Sequence, residues 1–310
     1  MTKVSCVGTG LVGRAWAVVF ARAGYEVALF DAKDGEVEAA ALPGIRATLA
    51  LFDEAGLLAD PMDTIIARIR VAASLHEAVA GADYVQESIR EDADAKREVF
   101  AAIAAAAPAD AILASSTSAI LGSRFLSDIP HPERALVAHP VNPPSLIPLV
   151  EVCGTNLTSP ETVASTRRLL TGAGMLPITV NREIDGFILN RLQYTLVAEA
   201  MHLVGEGYCS PEDIDRVVTD GLALRWAFLG PFAVAHLNAK DGFQGFVDRL
   251  GPMMRRMGAD ARTDYPWTQA QSELIHSAMI KTMPIDTLPL HAARRDRNIL
   301  ALRHLRKTQR

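Results

Sequence analysis

The chain has 310 residues, of which 49% are hydrophobic and 22% are charged, with a formal net charge of −5 at pH 7. This length is typical of two domains, and the composition excludes intrinsic disorder, collagen-like repeats and a coiled-coil rod. A mildly acidic chain has no general attraction for nucleic acid or anionic lipid, so we expect a globular protein whose partner is a small molecule.

The first half of the chain alternates strand-like and helical segments. A buried strand at 4–7, a glycine turn at 8–13, a helix at 14–23 and a strand at 26–30 form one βαβ unit. Such alternation predicts an α/β domain over 1–185, with a Rossmann-type, doubly wound and mainly parallel sheet. Further strands are predicted at 69–71, 83–86, 111–114, 134–138, 149–152 and 178–180, with a helix at 161–171.

The second half reads as helical, because 186–206 is one long apolar-periodic segment and little after it resembles a strand. Ser210 and Asp213, with a proline between them, have the spacing of an N-cap and its first turn. We therefore predict an all-helical domain over 186–310 that binds substrate. Its apolar surface exceeds what it can bury alone, which predicts a homodimer. The basic segment 294–310 is expected to be a solvated helix and a frayed tail.

The cysteines and the apolar stretches of the sequence indicate where in the cell we expect the protein. Cys6, Cys153 and Cys209 lie far apart and outside any metal-ligand spacing, so we expect no disulfide framework, no metal site and a reducing cytoplasm. The most apolar stretch, 100–113, is interrupted by Pro108 and is too weak for a membrane helix. We also expect no targeting leader before the first strand.

Three glycines and an aspartate have the spacing of a dinucleotide site. Gly8, Gly10 and Gly13 lie between the first strand and the first helix, and Asp31 ends the next strand. The first glycine would permit the turn, the second would let backbone approach a pyrophosphate, and the third would let the helix pack on the sheet. The amides predicted to face the phosphates belong to Leu11 and Val12.

Asp31 also predicts which dinucleotide binds. A carboxylate at this position accepts hydrogen bonds from the adenosine ribose hydroxyls and repels a 2′-phosphate, which favours NAD over NADP. Lys33 lies two residues away and weakens that preference. The alternative is a plain strand-turn-helix without a nucleotide.

A nicotinamide enzyme that oxidises an alcohol needs a base for the hydroxyl proton, and histidine is the first candidate. Of the eight histidines, His139 alone follows a strand of the first domain, 134–138, at the sheet edge where open α/β folds bind ligands. From the residues alone, a catalytic and a structural role for His139 are equally open.

Several segments resemble a known family over almost the whole chain. Those shared with the 3-hydroxyacyl-CoA dehydrogenase superfamily are SSTS at 115–118, HPVNP at 139–143, LVE at 149–151 and GFILNRL at 186–192. Those similar to its lambda-crystallin branch, whose vertebrate members are L-gulonate 3-dehydrogenases, are AHPVNPP at 138–144, NRLQY at 190–194 and GLALRWAFLGP at 221–231.

The resemblance implies four catalytic roles. His139 would be the acid/base, and Glu151 would fix its tautomer and stabilise the imidazolium. Ser118 would hydrogen-bond the reacting oxygen, and Asn190 would orient the substrate. Without the resemblance, Ser118 would be read as a helix N-cap and Asn190 as a buried amide.

The resemblance also implies further cofactor contacts. Glu91 and Lys96 match positions that touch the ribose on the nicotinamide side, and Asn142 matches a position near the nicotinamide. The alternative for Glu91 and Lys96 is an exposed pair on one helix.

Arg225 bears on the substrate, because a guanidinium among apolar residues is costly to desolvate without an anion. A substrate carboxylate is the predicted partner, and Glu199 or Asp220 is the alternative. The segment 35–40 lacks the basic residues that acyl-CoA enzymes of this superfamily place around it, which weakens the case for coenzyme A.

These observations predict NAD-dependent oxidation of the 3-hydroxyl of a free hydroxy acid, L-gulonate or a related 3-hydroxycarboxylate. The first alternative is a 3-hydroxyacyl-CoA dehydrogenase that uses the same residues. The alternative from another class is a crystallin-like structural or NAD-binding protein without turnover.

Overall fold

The computed structural model describes residues 1–265 and 268–308, and it divides the chain into two compact units. The first unit comprises Met1–Ile188 and Asp296–Leu305, and the second comprises Leu189–Arg295 and the residues from Arg306. The predicted boundary at 185/186 lies close to this division. The prediction that all of 186–310 belongs with the second domain differs from it at Asp296–Leu305.

The first unit is built on one eight-stranded sheet in the order β3-β2-β1-β4-β5-β6-β7-β8. The first six strands are mutually parallel, β7 is antiparallel to β6, and β8 is parallel to β7. The strands are β1 (Lys3–Val7), β2 (Glu26–Phe30), β3 (Ile69–Val71), β4 (Tyr84–Glu87), β5 (Ile112–Ser115), β6 (Ala135–Pro140), β7 (Leu149–Gly154) and β8 (Leu176–Val180).

Helices cover both faces of this sheet, which confirms the predicted doubly wound fold. The strand predictions agree with the structure within one or two residues, because most of these strands are buried on both faces and so read as apolar runs. The helices of the first unit are α1 (Leu11–Arg22), α2 (Leu42–Glu54), α3 (Met62–Ile66), α4 (Leu75–Val79), α5 (Ala93–Ala106) and α6 (Pro160–Gly172).

Two apolar cores lie on opposite faces of the sheet. The first includes Trp16 and Phe20 of α1, whose rings stack at 5.2 Å, together with Leu170 of α6. The second is formed around Phe100 of α5 and Phe125, whose ring centroids lie 5.5 Å apart. Because α1 and α5 each follow a strand of the parallel sheet, both helices begin at its carboxyl edge, where open α/β sheets bind ligands.

The second unit contains helices and, within its described residues, no strand, which confirms the predicted helical domain. Its long helix begins at Leu189, three residues later than predicted, because Gly186 and Phe187 adopt positive φ angles. Its helices are α7 (Leu189–Gly205), α8 (Pro211–Arg216), α9 (Ala223–Trp226), α10 (Pro231–Leu237), α11 (Gly242–Asp260), α12 (Gln269–Thr282) and the first turns of α13 (Leu288–Thr308).

The second unit leaves much of its apolar surface uncovered. Among its described residues, buried apolar side chains occur only at Ala198, Met201 and Val204. By contrast, Phe232 and Leu237 of α10 expose 75% and 69% of their surface. In the part of the chain described here, no single helix has the length and apolar character to cross a membrane, and one pair bent by 77°, Pro211–Trp226 with Pro231–Leu237, meets those two criteria.

The later part of α13 belongs to the first unit, unlike the solvated tail expected from its charge. Leu300 is buried against Phe52 and Leu146. One guanidinium nitrogen of Arg303 donates to the carbonyls of Ser145 and Leu146, at 2.9 and 2.8 Å. These contacts attach the helix to the β6–β7 connection, which begins directly after His139-Pro140.

Candidate active site

The turn between β1 and α1 requires glycine for two separate reasons. Gly8 has φ +87°, and a Cβ there would lie 2.7 Å from the backbone of Ser88. A Cβ on Gly13 would lie 1.9 Å from the carbonyl oxygen of Gly8. Glycine is therefore required at position 13 mainly because the start of the helix lies close to the turn itself. The sequence had predicted that this glycine lets the helix pack on the sheet, and the contact with Gly8 refines that role.

Gly10 differs from its two neighbours, since a Cβ there would meet nothing within 4 Å. It is the N-cap of α1, whose first turn carries no acidic side chain and whose Leu11 is 63% exposed. The amides of Leu11, Val12 and Gly13 have no acceptor inside the helix. Open space beside first-turn amides without an opposing carboxylate fits the pyrophosphate of a dinucleotide.

Asp31 lies directly after β2, and the backbone and side chain of a nearby threonine fix its carboxylate. One oxygen accepts from the amide and the hydroxyl of Thr9, at 2.8 and 3.0 Å, and the other accepts from the amide of Lys33 at 3.0 Å. The Lys33 ammonium instead pairs with Glu36 at 2.6 Å. Its positive charge is therefore balanced locally, which reduces the attraction for a 2′-phosphate anticipated from the sequence. Thr9 had no sequence signal beyond its place in the glycine turn.

His139 and Glu151 are directly opposite each other on β6 and β7. The imidazole Nδ1 lies 2.9 Å from Glu151 Oε2, and the two side chains are only 6% and 1% exposed. Glu151 Oε1 accepts the amide of Ile188 at 2.8 Å. The structure thus brings together the two residues that the resemblance paired, with the carboxylate held by a second donor.

Phe187, to which the sequence analysis gave no role, completes the surroundings of His139. Its ring is fully buried and stacks on the imidazole, with centroids 5.1 Å apart and an interplanar angle of 28°. The sequence signal available was its place inside the segment GFILNRL.

Ser118 lies after β5 in a loop that Glu91 holds. The Glu91 carboxylate accepts the hydroxyl of Thr117 at 2.5 Å and the amides of Ser118 and Ala119 at 2.8 and 2.9 Å. The alternative reading of Ser118 as a helix N-cap is wrong, because the next helical turn begins at Gly122. Glu91 fixes the loop that carries Ser118.

Lys96 is 1% exposed, so the alternative of an exposed helix pair is wrong. Its ammonium lies 2.8 Å from an oxygen of the fully buried Glu87 and 3.5 Å from Glu91. Glu87 also accepts the hydroxyl of Ser115 at 2.5 Å and the amide of Ile89 at 2.6 Å. Through these contacts, the buried group formed by Lys96, Glu87 and Ser115 joins the ends of β4 and β5 to α5.

Burial affects the two carboxyls of this group differently. Burial raises the pKa of Glu87 above its ordinary value, and the charge and hydrogen bond of Lys96 oppose that rise only in part. Burial alone would also raise the pKa of Glu91, but hydrogen bonds from Thr117 and Ala119 and the charge of Lys96 outweigh it, so its pKa is lowered. Glu91 is thus held as a carboxylate.

The other three residues predicted for the site are more exposed than His139 and Glu151. Asn142 is exposed in the β6–β7 connection, directly after the strand that carries His139. Asn190 is half-buried in the first turn of α7, and Arg225 is exposed in α9, each within the second unit. The expectation that Arg225 is desolvated by its neighbours is wrong for this chain, since Leu224 and Trp226 beside it are also exposed.

The protein partners considered for Arg225 are engaged elsewhere. Glu199 accepts the amide of Arg262 at 2.6 Å and lies 3.3 Å from His202 Nδ1, and Asp220 accepts from Thr219. No ion pair of Arg225 occurs among the described side chains. Within the same residues, no group of three or more potential ligands could hold a metal ion.

Comparison with known proteins identifies the family. Residues 3–184 match the 3-hydroxyacyl-CoA dehydrogenase NAD binding domain, and residues 186–272 match the C-terminal domain of the same family. A lambda-crystallin homolog from Bos taurus is 41% identical over 307 residues, which cover 98% of this chain and 95% of that protein. An L-carnitine dehydrogenase from Streptomyces griseus is 38% identical over 281 residues, covering 89% and 79% of the two chains.

Solved structures agree with this result. The NAD⁺-dependent dismutase 5-formyl-3-hydroxy-2-methylpyridine 4-carboxylic acid 5-dehydrogenase is 29% identical and covers 99% of both chains, with a TM-score of 0.85. An (S)-3-hydroxybutyryl-CoA dehydrogenase from Ralstonia eutropha is 25% identical and covers 90% and 94%, with a TM-score of 0.69. The NAD binding domain of the family matches residues 3–184, which lie in the first unit and include the glycine turn. The chain belongs to the 3-hydroxyacyl-CoA dehydrogenase family and is an NAD-dependent oxidoreductase that acts on a CH–OH group.

Proposed function

We propose that this enzyme oxidises the 3-hydroxyl of a free hydroxy acid to the 3-keto acid, with L-gulonate or a related 3-hydroxycarboxylate as substrate. The observation that carries the proposal is the buried pair of His139 and Glu151 at the carboxyl edge of the sheet, 2.9 Å apart. This is the edge at which the glycine turn and Asp31 also lie, and open α/β sheets bind their ligands there.

The hydrogen bonds of Glu151 determine which nitrogen of His139 acts as base. A carboxylate carries acceptors only, so Oε1 accepts the Ile188 amide, Oε2 accepts from the imidazole, and Nδ1 carries the proton. The lone pair is then on Nε2, which takes the proton of the substrate hydroxyl. The cation that forms lies against Glu151, which stabilises it.

NAD, when bound, supplies the hydride acceptor for the substrate carbon. The chain's own contribution is to bind the cofactor's pyrophosphate at the start of α1, to accept ribose hydroxyls at Asp31 and to remove the hydroxyl proton at His139. Ser118, whose loop Glu91 holds, donates a hydrogen bond to the reacting oxygen in this proposal. The roles of Asn190 and Asn142 stay predictions from the family resemblance, and a substrate carboxylate at Arg225 stays a prediction from the sequence.

A free acid is favoured over a thioester by two considerations. The relatives include an L-carnitine dehydrogenase and a dehydrogenase of a pyridine carboxylic acid, and both named substrates carry a free carboxylate. The segment after Asp31 bears Glu36 and Glu38 and no basic side chain from 35 to 40, which is unfavourable for the phosphates of coenzyme A.

The second candidate is 3-hydroxyacyl-CoA oxidation with the same catalytic residues. It is supported by the likeness to (S)-3-hydroxybutyryl-CoA dehydrogenase, whose named substrate is the thioester. A non-catalytic role has less support, because the family is one of oxidoreductases and His139 and Glu151 are both present and in contact here.

Steady-state kinetics separate these candidates. The enzyme is mixed with NAD and, in separate reactions, L-gulonate, L-carnitine, free 3-hydroxybutyrate and 3-hydroxybutyryl-CoA, while NADH absorbance is followed. We expect the highest kcat/KM with a free acid. Turnover of 3-hydroxybutyryl-CoA with no free acid oxidised reverses the order of the two candidates, and inactivity across the panel favours a binding role.

We also propose that the enzyme is a homodimer through its second unit. Exposed apolar side chains in a soluble chain mark association surfaces, and α10 leaves Phe232 and Leu237 largely uncovered. Light scattering at micromolar concentration tests this proposal, and a monomeric mass contradicts it.

A further inference from the structure

The turn that leads into α7 has an unusual backbone. Gly186 has φ +75° and Phe187 has φ +49°, so two consecutive residues adopt the left-handed region. That region is ordinary for glycine and strained for a residue with a bulky side chain. Strain of this kind persists only where the surrounding contacts require it, and it is enriched at functional sites.

The contacts at this turn show what the backbone conformation achieves. The Phe187 side chain points into the first unit, where it is fully buried with Val137, Cys153 and Val180. Its ring stacks on the imidazole of His139 at 5.1 Å. The next residue, Ile188, directs its amide to Glu151 Oε1 at 2.8 Å. One turn therefore contacts both members of the catalytic pair.

The two contacts restrain different degrees of freedom. The imidazole can turn about its Cα–Cβ and Cβ–Cγ bonds, and the hydrogen bond from Nδ1 to Glu151 restrains only the distance between two atoms, so coupled rotation about these bonds can still tilt the ring. A flat ring stacked on the imidazole fixes its plane, because rotation would separate the two faces or force them to clash. Together they determine the direction in which Nε2 points.

We propose that Phe187 is a positioning residue that fixes the plane of the His139 imidazole and so aims Nε2 at the substrate hydroxyl. It acts through His139 and touches no reacting atom. The inference rests on the proposed function, since it takes His139 as the acid/base.

Two substitutions that keep apolar bulk but remove the flat face test the proposal: Phe187→Leu and Phe187→Met. The matched control is Phe100→Leu, since Phe100 is equally buried but packs against Phe125 in the second core. Substrate is whichever of L-gulonate, L-carnitine and 3-hydroxybutyryl-CoA the wild-type enzyme turns over fastest. NADH affinity is measured separately by fluorescence titration.

Both Phe187 variants are expected to lose about 10- to 100-fold in kcat, as misalignment of a catalytic group does, with NADH affinity unchanged. The control is expected to keep its kcat. In a His139→Ala background, Phe187→Leu should cause no further loss, because a residue that acts only through His139 has nothing left to position.

The outcomes distinguish the two proposals. Should His139→Ala keep wild-type kcat, the proposed function fails, whatever Phe187 does. Should His139→Ala be impaired while both Phe187 variants keep full kcat, or lose as much kcat in the His139→Ala background as in the wild type, the positioning role alone is overturned. If Phe187→Leu does not fold, Phe187→Met, with its flexible side chain, gives the same measurement.

Discussion

Replacing Glu151 by glutamine tests the catalytic pair most directly, because the side chain keeps its shape while its hydrogen-bonding pattern changes. In the wild type the two carboxylate oxygens accept from Ile188 and from His139, at 2.8 and 2.9 Å. Glutamine has one acceptor oxygen and one NH₂ donor. With the oxygen toward Ile188, the NH₂ faces Nδ1, and the imidazole must move its proton to Nε2, where it blocks the base.

The size of the effect follows from burial. Glu151 and His139 are 1% and 6% exposed, so the imidazolium that forms in the reaction would lose, inside the protein, the carboxylate against which it lies. Removing one member of a buried pair costs about 3–5 kcal/mol. At about 1.4 kcal/mol per tenfold change in rate, this corresponds to a loss of about 10²–10⁴ in kcat.

The assay follows NADH formation for Glu151→Gln under saturating NAD and substrate, with circular dichroism as a check on folding. NADH affinity should be unchanged, since the substitution acts on proton transfer. Glu161→Gln is the matched control, because Glu161 pairs with Arg168 on the solvent-exposed surface of α6. A folded Glu151→Gln variant with kcat within about threefold of wild type would refute the reasoning.

Four further predictions concern the cofactor site and the buried group beside it. Gly13→Ala should abolish NADH binding in fluorescence titrations, since its Cβ would lie 1.9 Å from the Gly8 carbonyl oxygen; binding at wild-type affinity would contradict this. Asp31→Ser should lower the ratio of kcat/KM for NAD to that for NADP about 10-fold or more, because the carboxylate that repels a 2′-phosphate is gone. An unchanged ratio would remove Asp31 from cofactor selection. Lys96→Met should lower the free energy of unfolding in urea by about 3–5 kcal/mol, as it leaves the Glu87 carboxyl buried without its cation, and a loss below about 1 kcal/mol would mean that the pair is dispensable. Because the pKa of Glu91 is lowered in the folded state, its contribution to stability is present above its unfolded pKa and is lost as pH falls through the folded value. Glu91→Gln should therefore unfold with a weaker pH dependence below about pH 5, and identical acid unfolding curves would contradict this.

The cofactor half of the site was predictable from the sequence because its determinants are local. The three glycines, the N-cap of α1 and Asp31 at the end of β2 lie within one βαβ unit, and their spacing alone implies the geometry. What this spacing does not show is the partner of each side chain. Thr9, which fixes the Asp31 carboxylate, has no distinguishing pattern of its own.

One interpretation of Glu91 and Lys96, an exposed pair on one helix, was wrong because it considered the helix alone and not the strand ends that pack against it. A lysine five residues after a glutamate reads as surface charge on a helix. Here Glu87 ends a buried strand, and its carboxylate in the core requires a cation, which Lys96 supplies. A carboxylate at the last position of an apolar strand was the available signal.

Reasoning from charged residues also gave wrong predictions for the burial of the C-terminal segment and of Arg225. Arg303 lies in a basic run, yet it donates to two carbonyls of the β6–β7 connection, and the buried Leu300 anchors the helix nearby. Conversely, apolar neighbours in sequence predicted a desolvated Arg225, and those neighbours are themselves exposed. Burial of a helix face depends on what packs against it, and a single sequence does not specify that partner.

The pairing of His139 with Glu151 depends on the reversal of β7. A parallel crossover needs a dozen or more residues, and the connection between β6 and β7 spans only 141–148, so β7 must run antiparallel to β6. Reversal makes β7 begin at the carboxyl edge of the sheet, where β6 ends. A residue near the start of β7 is therefore opposite one near the end of β6, and the register places Glu151 across from His139. Had β7 been parallel, its early residues would lie at the far edge, away from the glycine turn. The short connection thus implies that the start of the next strand lies beside His139, and the first acidic residue of that strand is Glu151.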